Sequence, residues 1–318
     1  MPNTILILES DRYNPDALEL YSTLGRVEAY NNSNARLLND HSVFAIVCRL
    51  AHYLDPIFLK KFENLKFIIS PTTGLNHIDN AYCKSHGIRI VSLKGETKYL
   101  NSIKSTSEHT MALIFALVRN IVPSVRSVVD RHQWNRDLYI GRELSSLTIG
   151  ILGVGRIGKH IISYARSFGM KILICDSHQD LGAFKDAKVT VCSKKQLFEK
   201  SDIVTIHVDY RPDNHHMITQ KEFGWMKTGS YFINTSRGEL VSEDALIWAL
   251  ERGILTGAAL DVLSEEQSDK AFFNKRIIQY AQKNDNIIIT PHLGGCTIDA
   301  MHNTELFMAK KFANIINN

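Results

Sequence analysis

The chain has 318 residues, of which 44% are hydrophobic and 22% charged, and it carries a formal net charge of +4 at pH 7. This length accommodates two domains, and the composition is that of an ordinary globular protein rather than a disordered or repetitive one. Because 37 basic residues are scattered among 33 acidic ones, no nucleic-acid-binding surface is indicated.

Targeting and cysteine signals predict a cytoplasmic protein. The N-terminal run Ile5 to Leu8 is too short for a signal peptide, and the longest strongly apolar stretch, Thr110 to Val118, cannot span a bilayer. We therefore expect no membrane partner. The cysteines are odd in number and show neither a CxxC pair nor metal-ligand spacing, which predicts reduced thiols and no metal site. They are Cys48, Cys83, Cys175, Cys192 and Cys296.

Short apolar segments alternate with longer helical patterns in both halves of the chain, as in parallel α/β units. The first series has predicted strands at Thr4 to Leu8, Val27 to Tyr30, Phe44 to Cys48, Phe67 to Ser70 and Ile88 to Val91. After a helix at Ser105 to Asn120, the second series has predicted strands at Ile149 to Leu152, Lys171 to Cys175, Ile203 to His207, Tyr231 to Asn234, Gly257 to Leu260 and Ile287 to Thr290. The amphipathic tail, Asp299 to Ile316, is expected to return and cover the first unit.

A glycine-rich turn between the strand Thr148 to Leu152 and a helical pattern predicts a dinucleotide site. Gly153 permits the tight turn, Gly155 lets the backbone approach the pyrophosphate, and Gly158 lets the helix lie against the strand. Asp176 closes the next strand, where its carboxylate would accept hydrogen bonds from the ribose hydroxyls and repel a 2′-phosphate, so NAD is favoured over NADP. The alternative is a tight turn without a ligand, followed by a solvated aspartate.

These patterns predict an α/β protein of two doubly wound parallel-sheet domains, with a Rossmann NAD-binding domain inserted in a flavodoxin-like substrate domain. The NAD-binding domain would span residues 99–292, and the substrate domain would combine residues 1–98 with 293–318. Connections near Gly95 to Asn101 and at Gly294-Gly295 are expected to act as a hinge. Ligands of such sheets bind beyond the carboxyl ends of the strands, so a cleft between the domains is expected.

Three residues after strands of the second series could carry chemistry on a 2-oxo acid. Arg237 can grip a carboxylate with two parallel hydrogen bonds and polarise the adjacent carbonyl. His292 can deliver or remove the hydroxyl proton near neutral pH, and Glu266 beside it would fix the tautomer of the ring. Each also has a plainer interpretation, respectively a surface ion-pair partner, a loop residue and a solvated carboxylate.

Seven spaced motifs carry a resemblance to the D-isomer-specific 2-hydroxyacid dehydrogenase family, including members that are like D-3-phosphoglycerate dehydrogenase but lack a regulatory domain. The resemblance implies NAD-dependent hydride transfer that interconverts a D-2-hydroxy acid and its 2-oxo acid. It also implies a homodimer built through the dinucleotide domain, around Glu108 to Asn120 and Trp134. The motifs are Gly74 to Asp79, Ser107 to His109, Gly141 to Leu144, Gly153 to Gly158, Asn234 to Gly238, Ala258 to Val262 and Thr290 to Gly295.

By the same resemblance, each site residue receives a role. Arg237 would orient the substrate, His292 would act as the acid/base with Glu266, and Thr73 and Gly74 would offer backbone N–H groups to the substrate carboxylate. The cofactor-binding residues would be Gly153, Gly155, Arg156, Ile157, Gly158, Asp176, His207, Thr235, Ser236, Asp261 and Gly294.

Two positions depart from the family pattern. Members usually carry Pro after the catalytic Glu and after the His-Val of the fourth-strand motif, whereas Gln267 and Asp209 stand there in this chain. The shape of both loops is therefore expected to differ. The segment from Asp209 to His216 also contains Arg211 and His215, which could add positive charge near the cofactor mouth, although a solvated loop is the preferred interpretation.

The sequence leaves the substrate open. Arg49 follows the third predicted strand and could meet a phosphate or a second carboxylate, but the segment Ser70 to Thr73 lacks an Arg that phosphoglycerate enzymes often place there. Phosphoglycerate is therefore compatible but not favoured. Two alternatives are an NAD(H)-sensing protein like the corepressors that share the fold, and an enzyme acting on formate or phosphite.

Overall fold

The computed structural model describes residues 3–30, 41–177, 181–184, 186, 188–266 and 270–317. The chain divides into two compact units, unit 1 with Met1–Ile103 and Cys296–Asn318, and unit 2 with Lys104–Gly295. The sequence analysis placed these divisions earlier, after residues 98 and 292. The segment Gly95 to Asn101, expected to be a connection, contains a short helix and belongs to unit 1.

Unit 1 is built on a five-stranded parallel sheet. Its strand order is β2-β1-β3-β4-β5, the order of flavodoxin-like folds, which confirms this part of the predicted fold class. The strands are β1 (Thr4–Ile7), β2 (Arg26–Ala29), β3 (Val43–Val47), β4 (Phe67–Ser70) and β5 (Arg89–Ser92). The helices are α1 (Pro15–Leu24), α2 (Pro56–Leu59), α3 (Asn80–Ser85), α4 (Thr97–Leu100) and, from the tail, α12 (Ile298–Asn317).

The tail helix belongs to the core of unit 1. Phe312 of α12 is fully buried, and its ring centroid lies 6.2 Å from that of Tyr21 in α1. Helix α1 begins where the Asn14 side chain accepts a hydrogen bond from Ala17 N (3.0 Å) and Pro15 opens the first turn. The amphipathic tail therefore covers the first sheet, as the sequence predicted.

Unit 2 is built on a seven-stranded parallel sheet with the order β12-β11-β10-β9-β6-β7-β8. Counted from β8, the first six strands have the order of the doubly wound dinucleotide-binding fold. The strands are β6 (Thr148–Leu152), β7 (Lys171–Cys175), β8 (Val189–Val191), β9 (Ile203–Ile206), β10 (Ser230–Asn234), β11 (Leu255–Leu260) and β12 (Ile287–Ile289). The helices are α5 (Ser105–Val118), α6 (Ile121–Val129), α7 (Arg156–Ser167), α8 (Lys194–Lys200), α9 (Gln220–Phe223), α10 (Glu243–Glu251) and α11 (Arg276–Lys283).

The central strands of unit 2 are covered on both faces. β9 and β10 are buried at every residue, as expected for parallel strands between two layers of helices. Edge strand β8 was missed by the sequence analysis, because two of its three residues are exposed and Val-Thr-Val is not a continuous apolar run. Within the described residues, no single helix is long and apolar enough to cross a membrane; one bent pair, Thr97–Val118 and Ile121–Val129, qualifies by length and composition only.

Candidate active site

The glycine-rich turn connects β6 to α7 at the carboxyl edge of the sheet. Gly153 has φ +94°, and a Cβ placed on it would lie 2.6 Å from the carbonyl oxygen of His207. A Cβ on Gly158 would overlap the carbonyl oxygen of Gly153, so any larger residue would push α7 away from the turn. Both glycines are therefore required by the fold itself.

Gly155 differs from the other two glycines of the motif, because among the described residues no heavy atom beyond its chain neighbours and the α7 backbone lies within 4 Å of a Cβ built on it. Its φ of −71° is open to any residue, so neither sterics nor conformation requires glycine here. Gly155 immediately precedes α7, and the N-terminus of a helix attracts anions through its N–H groups and its dipole. A pyrophosphate lying against this open backbone accounts for the glycine, and the turn thus fits a dinucleotide.

Asp176 is tied directly to the glycine-rich turn. Its Oδ2 accepts a hydrogen bond from Val154 N at 2.7 Å, and the carbonyl oxygen of Cys175 accepts one from Gly153 N at 2.8 Å. Two hydrogen bonds therefore join the end of β7 to the turn after β6. This arrangement holds the carboxylate next to the turn, where the ribose of a dinucleotide bound there would lie.

Side chains at the ends of β9 and β10 bind the neighbouring loops together. The Ser236 hydroxyl donates to the carbonyl oxygen of Val208 at 2.5 Å, and the buried hydroxyls of Thr235 and Thr110 lie 2.8 Å apart. His207 Nε2 lies 3.0 Å from the Thr205 hydroxyl, and desolvation lowers the pKa of His207 to about 3. An uncharged imidazole beside the turn suits the wall of a cofactor pocket.

The loop after β9 places a carboxylate close to the turn. Burial lowers the pKa of Arg156, the first residue of α7, and the negative charge of Asp209 opposes that shift. Asn214 holds the loop closed, because its Nδ2 donates to the carbonyl oxygen of Asp209 (2.8 Å) and its Oδ1 accepts from Arg211 N (2.8 Å). The altered loop is thus an ordered, exposed turn.

The two histidines of this loop stack on each other, with ring centroids 4.0 Å apart. Desolvation, and then the charge of His215, lower the pKa of His216. The loop therefore adds less positive charge at neutral pH than its sequence suggested.

His292 and Glu266 form a hydrogen-bonded pair through Nδ1 and Oε1. About a quarter of each side chain is exposed, 28% for His292 and 25% for Glu266. The other carboxylate oxygen of Glu266 accepts from Leu263 N at 3.2 Å. A histidine held at Nδ1 by a carboxylate presents Nε2 for proton transfer, which is the arrangement of a general acid/base. Gln267, the next residue, lies outside the described part of the chain.

Arg237 is brought to the same strand edge by a close approach of two loops. A Cβ on Gly238 would overlap the backbone where Leu263 joins Ser264, so only glycine permits this contact. The Arg237 guanidinium is partly buried and donates from Nη1 to the carbonyl oxygen of Ser236 at 2.6 Å. The glycine thus fixes the loop that carries Glu266 against the turn that carries Arg237.

Asp261 organises the loop that carries His292. Its side chain is 1% exposed and accepts hydrogen bonds from Leu293 N (2.7 Å) and Gly294 N (2.8 Å). Burial alone would raise the pKa of Asp261, but these bonds and those from His109 and Thr290 outweigh it, and the pKa is lowered. His292 has φ +55°, and its N–H donates to the carbonyl oxygen of Asp261 at 2.9 Å. Asp261 therefore stabilises a strained backbone at His292.

Two members of this network received no role from the sequence. His109 Nε2 lies 3.1 Å from both Asp261 Oδ1 and the Thr290 hydroxyl, and that hydroxyl donates to Asp261 at 2.6 Å. Both residues fall inside motifs that carry the family resemblance, and their place in those motifs is the sequence feature that could have indicated a role.

Ile157, predicted to bind the cofactor, is half-buried and packs on the hydrophobic core beside α7.

Thr73, Gly74 and Arg49 lie in unit 1. The Thr72 hydroxyl donates to the carbonyl oxygen of Gly74 at 2.8 Å and shapes the loop after β4, where Thr73 is exposed. Arg49 instead donates from Nε to the fully buried carboxylate of Glu305 at 2.8 Å. This gives Arg49 a structural task in unit 1, and its contact with a substrate stays a prediction.

A doubly wound sheet with a pyrophosphate-type turn, a ribose-type carboxylate and a histidine–glutamate pair defines the class of dinucleotide-dependent oxidoreductases. The sequence model described as "D-isomer specific 2-hydroxyacid dehydrogenase, NAD binding domain" matches residues 111–294. The chain therefore belongs to the NAD-dependent D-isomer-specific 2-hydroxyacid dehydrogenase family, which confirms the resemblance, the cofactor and the hydride-transfer activity predicted from the sequence.

Individual relatives agree with this assignment. A D-specific alpha-keto acid dehydrogenase of Enterococcus faecium is 36% identical over 251 residues, covering 77% of this chain and 74% of that protein. A D-3-phosphoglycerate dehydrogenase of Bacillus subtilis is 30% identical over 298 residues, covering 93% of this chain but 54% of that protein. The crystal structure of Aquifex aeolicus D-lactate dehydrogenase with NAD and lactic acid is 29% identical, with a TM-score of 0.81 over 99% of this chain and 96% of that one.

Proposed function

We propose that this enzyme interconverts a D-2-hydroxy monocarboxylic acid and its 2-oxo acid, with His292 as the acid/base, Glu266 as its partner and Arg237 as the carboxylate-binding residue. The observation that carries the proposal is the His292–Glu266 hydrogen bond on a loop fixed by Asp261. The pair lies on loops at the same edge of the sheet as the glycine-rich turn.

His292 handles the proton of the substrate hydroxyl. In the direction of reduction, Nε2–H gives its proton to the C2 carbonyl oxygen; in the direction of oxidation, Nε2 takes the hydroxyl proton back. Glu266 Oε1 accepts the hydrogen bond from Nδ1–H, which fixes the tautomer and stabilises the ring when both nitrogens carry protons. Glu266 thus acts through His292 rather than on the substrate.

Arg237 selects the substrate class. Its planar guanidinium can form two parallel hydrogen bonds to a carboxylate, and its charge polarises a carbonyl adjacent to that carboxylate. This requirement favours 2-oxo and 2-hydroxy monocarboxylates over formate, in which no C2 carbonyl exists. The expected contribution of Thr73 and Gly74 to the carboxylate site stays a prediction.

The cofactor, NAD, supplies the hydride acceptor and donor when it is bound. We assign its pyrophosphate to the turn from Gly153 to Gly158 with Arg156, and its adenosine ribose to Asp176. Of the remaining predicted cofactor residues, Thr235, Ser236, Asp261 and Gly294 take part in hydrogen bonds that connect the strand-end loops. We propose that these four residues shape the cofactor pocket and that His207 forms part of its wall.

We further propose a homodimer formed through unit 2, and a cytoplasmic enzyme. Helix α6 exposes Ile121, Val125 and Val128, which lie on one face at helical spacing. Trp134, 90% exposed, follows in the same region. An apolar face of this kind, in the region where the family resemblance implies the dimer contact, fits a second copy of the chain. Five free cysteines fit a reducing compartment.

The test is oxidation of NADH by the purified protein with a panel of 2-oxo acids that includes pyruvate, longer-chain homologues and phosphohydroxypyruvate. His292→Asn should lower kcat by about 10²- to 10⁴-fold without weakening NADH binding. Arg237→Ala should also abolish turnover, whereas Arg276→Ala, which removes a solvent-exposed arginine, should not. Tight NADH binding with no turnover of any acid would support the sensor alternative and contradict the proposal.

A further inference from the structure

Two thiols lie side by side at the strand edge that holds the dinucleotide turn. β7 and β8 are parallel partners, with Ile172 opposite Val189 and Ile174 opposite Val191. Continuing this register by one residue sets Cys175 opposite Cys192, and Cys192 N donates to the carbonyl oxygen of Ile174 at 3.0 Å. The pairing therefore extends to both cysteines.

The alternation of the strands places both thiols on the same face of the sheet. Ile172, Ile174 and Val189 pack in one core cluster, whereas Cys175 and Cys192 both pack against the other. Adjacent strands are separated by about 4.8 Å, which falls within the range of Cα separations that a disulfide bridges, about 4.4 to 6.8 Å. Both cysteines are half-buried and free.

The position of Cys175 connects this pair to the cofactor site. Its carbonyl oxygen accepts from Gly153 N, and the next residue, Asp176, accepts from Val154 N. β8 is the edge strand of the sheet and, within the described part of the chain, has a neighbour on one side only, so it is held by fewer hydrogen bonds than a central strand. Any change in the backbone of Cys175 therefore reaches the glycine-rich turn through two hydrogen bonds.

We propose that Cys175 and Cys192 form a reversible dithiol–disulfide site whose oxidation weakens dinucleotide binding. In the reaction with a small-molecule disulfide, two S–H bonds of the protein are lost and one S–S bond forms. Two electrons and two protons pass to the oxidant, which leaves as two thiols. The effect on binding rests on the proposed assignment of Gly153 and Asp176 to the cofactor.

Burial sets the rate of this exchange. It raises the pKa of Cys175, where Asp176 adds to the effect, and it raises the pKa of Cys192 to about 11. Because the thiolate is the attacking form, the reaction should be slow at neutral pH and faster in alkaline solution. The site is therefore suited to a response to sustained oxidation rather than to rapid turnover.

The experiment incubates the full-length enzyme with oxidised glutathione at alkaline pH and then digests it with trypsin under non-reducing conditions. Cleavage after Lys171, Lys185, Lys188 and Lys194 places the two cysteines on separate peptides, so a disulfide appears as one linked species. NADH affinity is measured by fluorescence titration before oxidation, after it and after reduction with dithiothreitol. Loss of one or two hydrogen bonds at the turn corresponds to a decrease in affinity of about tenfold or more.

Variants separate this site from other thiols. Cys192→Ala should bind NADH like the reduced wild type and be insensitive to the oxidant, with Cys192→Ser as a second variant if alanine lowers the melting temperature. Cys296→Ala, which removes the exposed cysteine, should respond like the wild type. Because coupling is reciprocal, saturating NADH should reduce the disulfide fraction.

Absence of the linked peptide after prolonged oxidation would overturn the proposal, and so would a linked peptide with unchanged NADH affinity. Failure of the reduced wild type to bind NADH would instead contradict the proposed function. The two failures are distinguishable, because the linked peptide is detected independently of cofactor binding.

Discussion

The carboxylate of Asp261 holds the backbone of Gly294, with Oδ2 2.8 Å from the amide nitrogen. A Cβ on Gly294 would lie 3.0 Å from the same oxygen, so the contact also limits which residues can stand at position 294. Asp261 also accepts a hydrogen bond from Leu293 N, so it holds both residues that follow His292. The φ of His292 is +55°, which is unfavourable without such support. Asp261 thus acts as a positioning residue for His292, the acid/base that we propose.

Asp261→Asn should lower both stability and kcat. An amide group in place of one carboxylate oxygen turns an acceptor into a donor, which then faces either Gly294 N at the Oδ2 position or Leu293 N and the Thr290 hydroxyl at the Oδ1 position. We expect a loss of about 2 to 3 kcal/mol of stability, measured as a lower melting temperature, and a decrease in kcat larger than the change in KM. Thr290→Val, which removes a single donor, should produce the same pattern at smaller size. A variant with wild-type kcat would refute the positioning role.

Arg49→Met should destabilise unit 1 rather than impair substrate binding. The substitution leaves the fully buried Glu305 carboxylate without its guanidinium partner, at a cost of about 3 to 5 kcal/mol. The double variant Arg49→Met, Glu305→Met should recover much of that loss, because no buried charge remains. Melting temperatures of the three proteins provide the measurement. If KM rises strongly in the double variant while the melting temperature recovers, Arg49 binds substrate after all.

Most of the strands were predictable from the sequence because buried parallel strands are short apolar runs between turn residues. β4 and β7 begin and end where the pattern placed them, and most other strands differ by one or two residues. Edge strand β8 was not predictable, because Val189–Val191 becomes a strand only through its pairing with β7. β12 is equally short but was predictable, because its three isoleucines form an apolar run, whereas β8 contains Thr190 and is exposed at two of three residues.

The candidate site was predictable to the extent that its chemistry depends on residue type at strand ends. Arg237, Glu266 and His292 are of this kind. The role of Asp261 was not, because no sequence pattern reveals that a carboxylate is 1% exposed and receives several hydrogen bonds. Arg49 was predicted to meet a substrate because it follows the third strand, and its contact with Glu305 could not be foreseen because the two residues lie 256 positions apart along the chain.

The desolvated, partly buried imidazole of His207 should make the enzyme sensitive to acid. The pKa of His207 is about 3 in the folded protein and about 6.5 in an unfolded chain. Below pH 6.5 the unfolded state therefore takes up a proton that the folded state does not, and stability falls by at most about 1.4 kcal/mol per pH unit until the folded pKa is reached. Above pH 6.5 this contribution vanishes.

His207→Gln should remove this sensitivity while an amide still reaches the Thr205 hydroxyl. Melting temperatures measured from pH 8 to pH 5 should decrease less steeply for the variant than for the wild type, and the curves should differ least at high pH. His215→Gln, in the exposed loop, serves as the matched control and should follow the wild type. Parallel curves for His207→Gln and the wild type would show that the ring is protonated in the folded protein as readily as in the unfolded chain.

Asp209→Asn should tighten NADH binding. The carboxylate acts on Arg156, the residue that we assign to the pyrophosphate, and it adds a negative charge close to a dianionic ligand. Because Asp209 is exposed, solvent screens its charge, and we expect an increase in affinity of about threefold at low ionic strength. Fluorescence titration at low and high salt measures the effect, which should decrease as salt increases. Asp213→Asn removes a charge from the same loop that is already paired with Arg211, and it should change the affinity little. Equal affinities of Asp209→Asn and the wild type at low salt would mean that the departure from proline at this position has no electrostatic consequence for the cofactor.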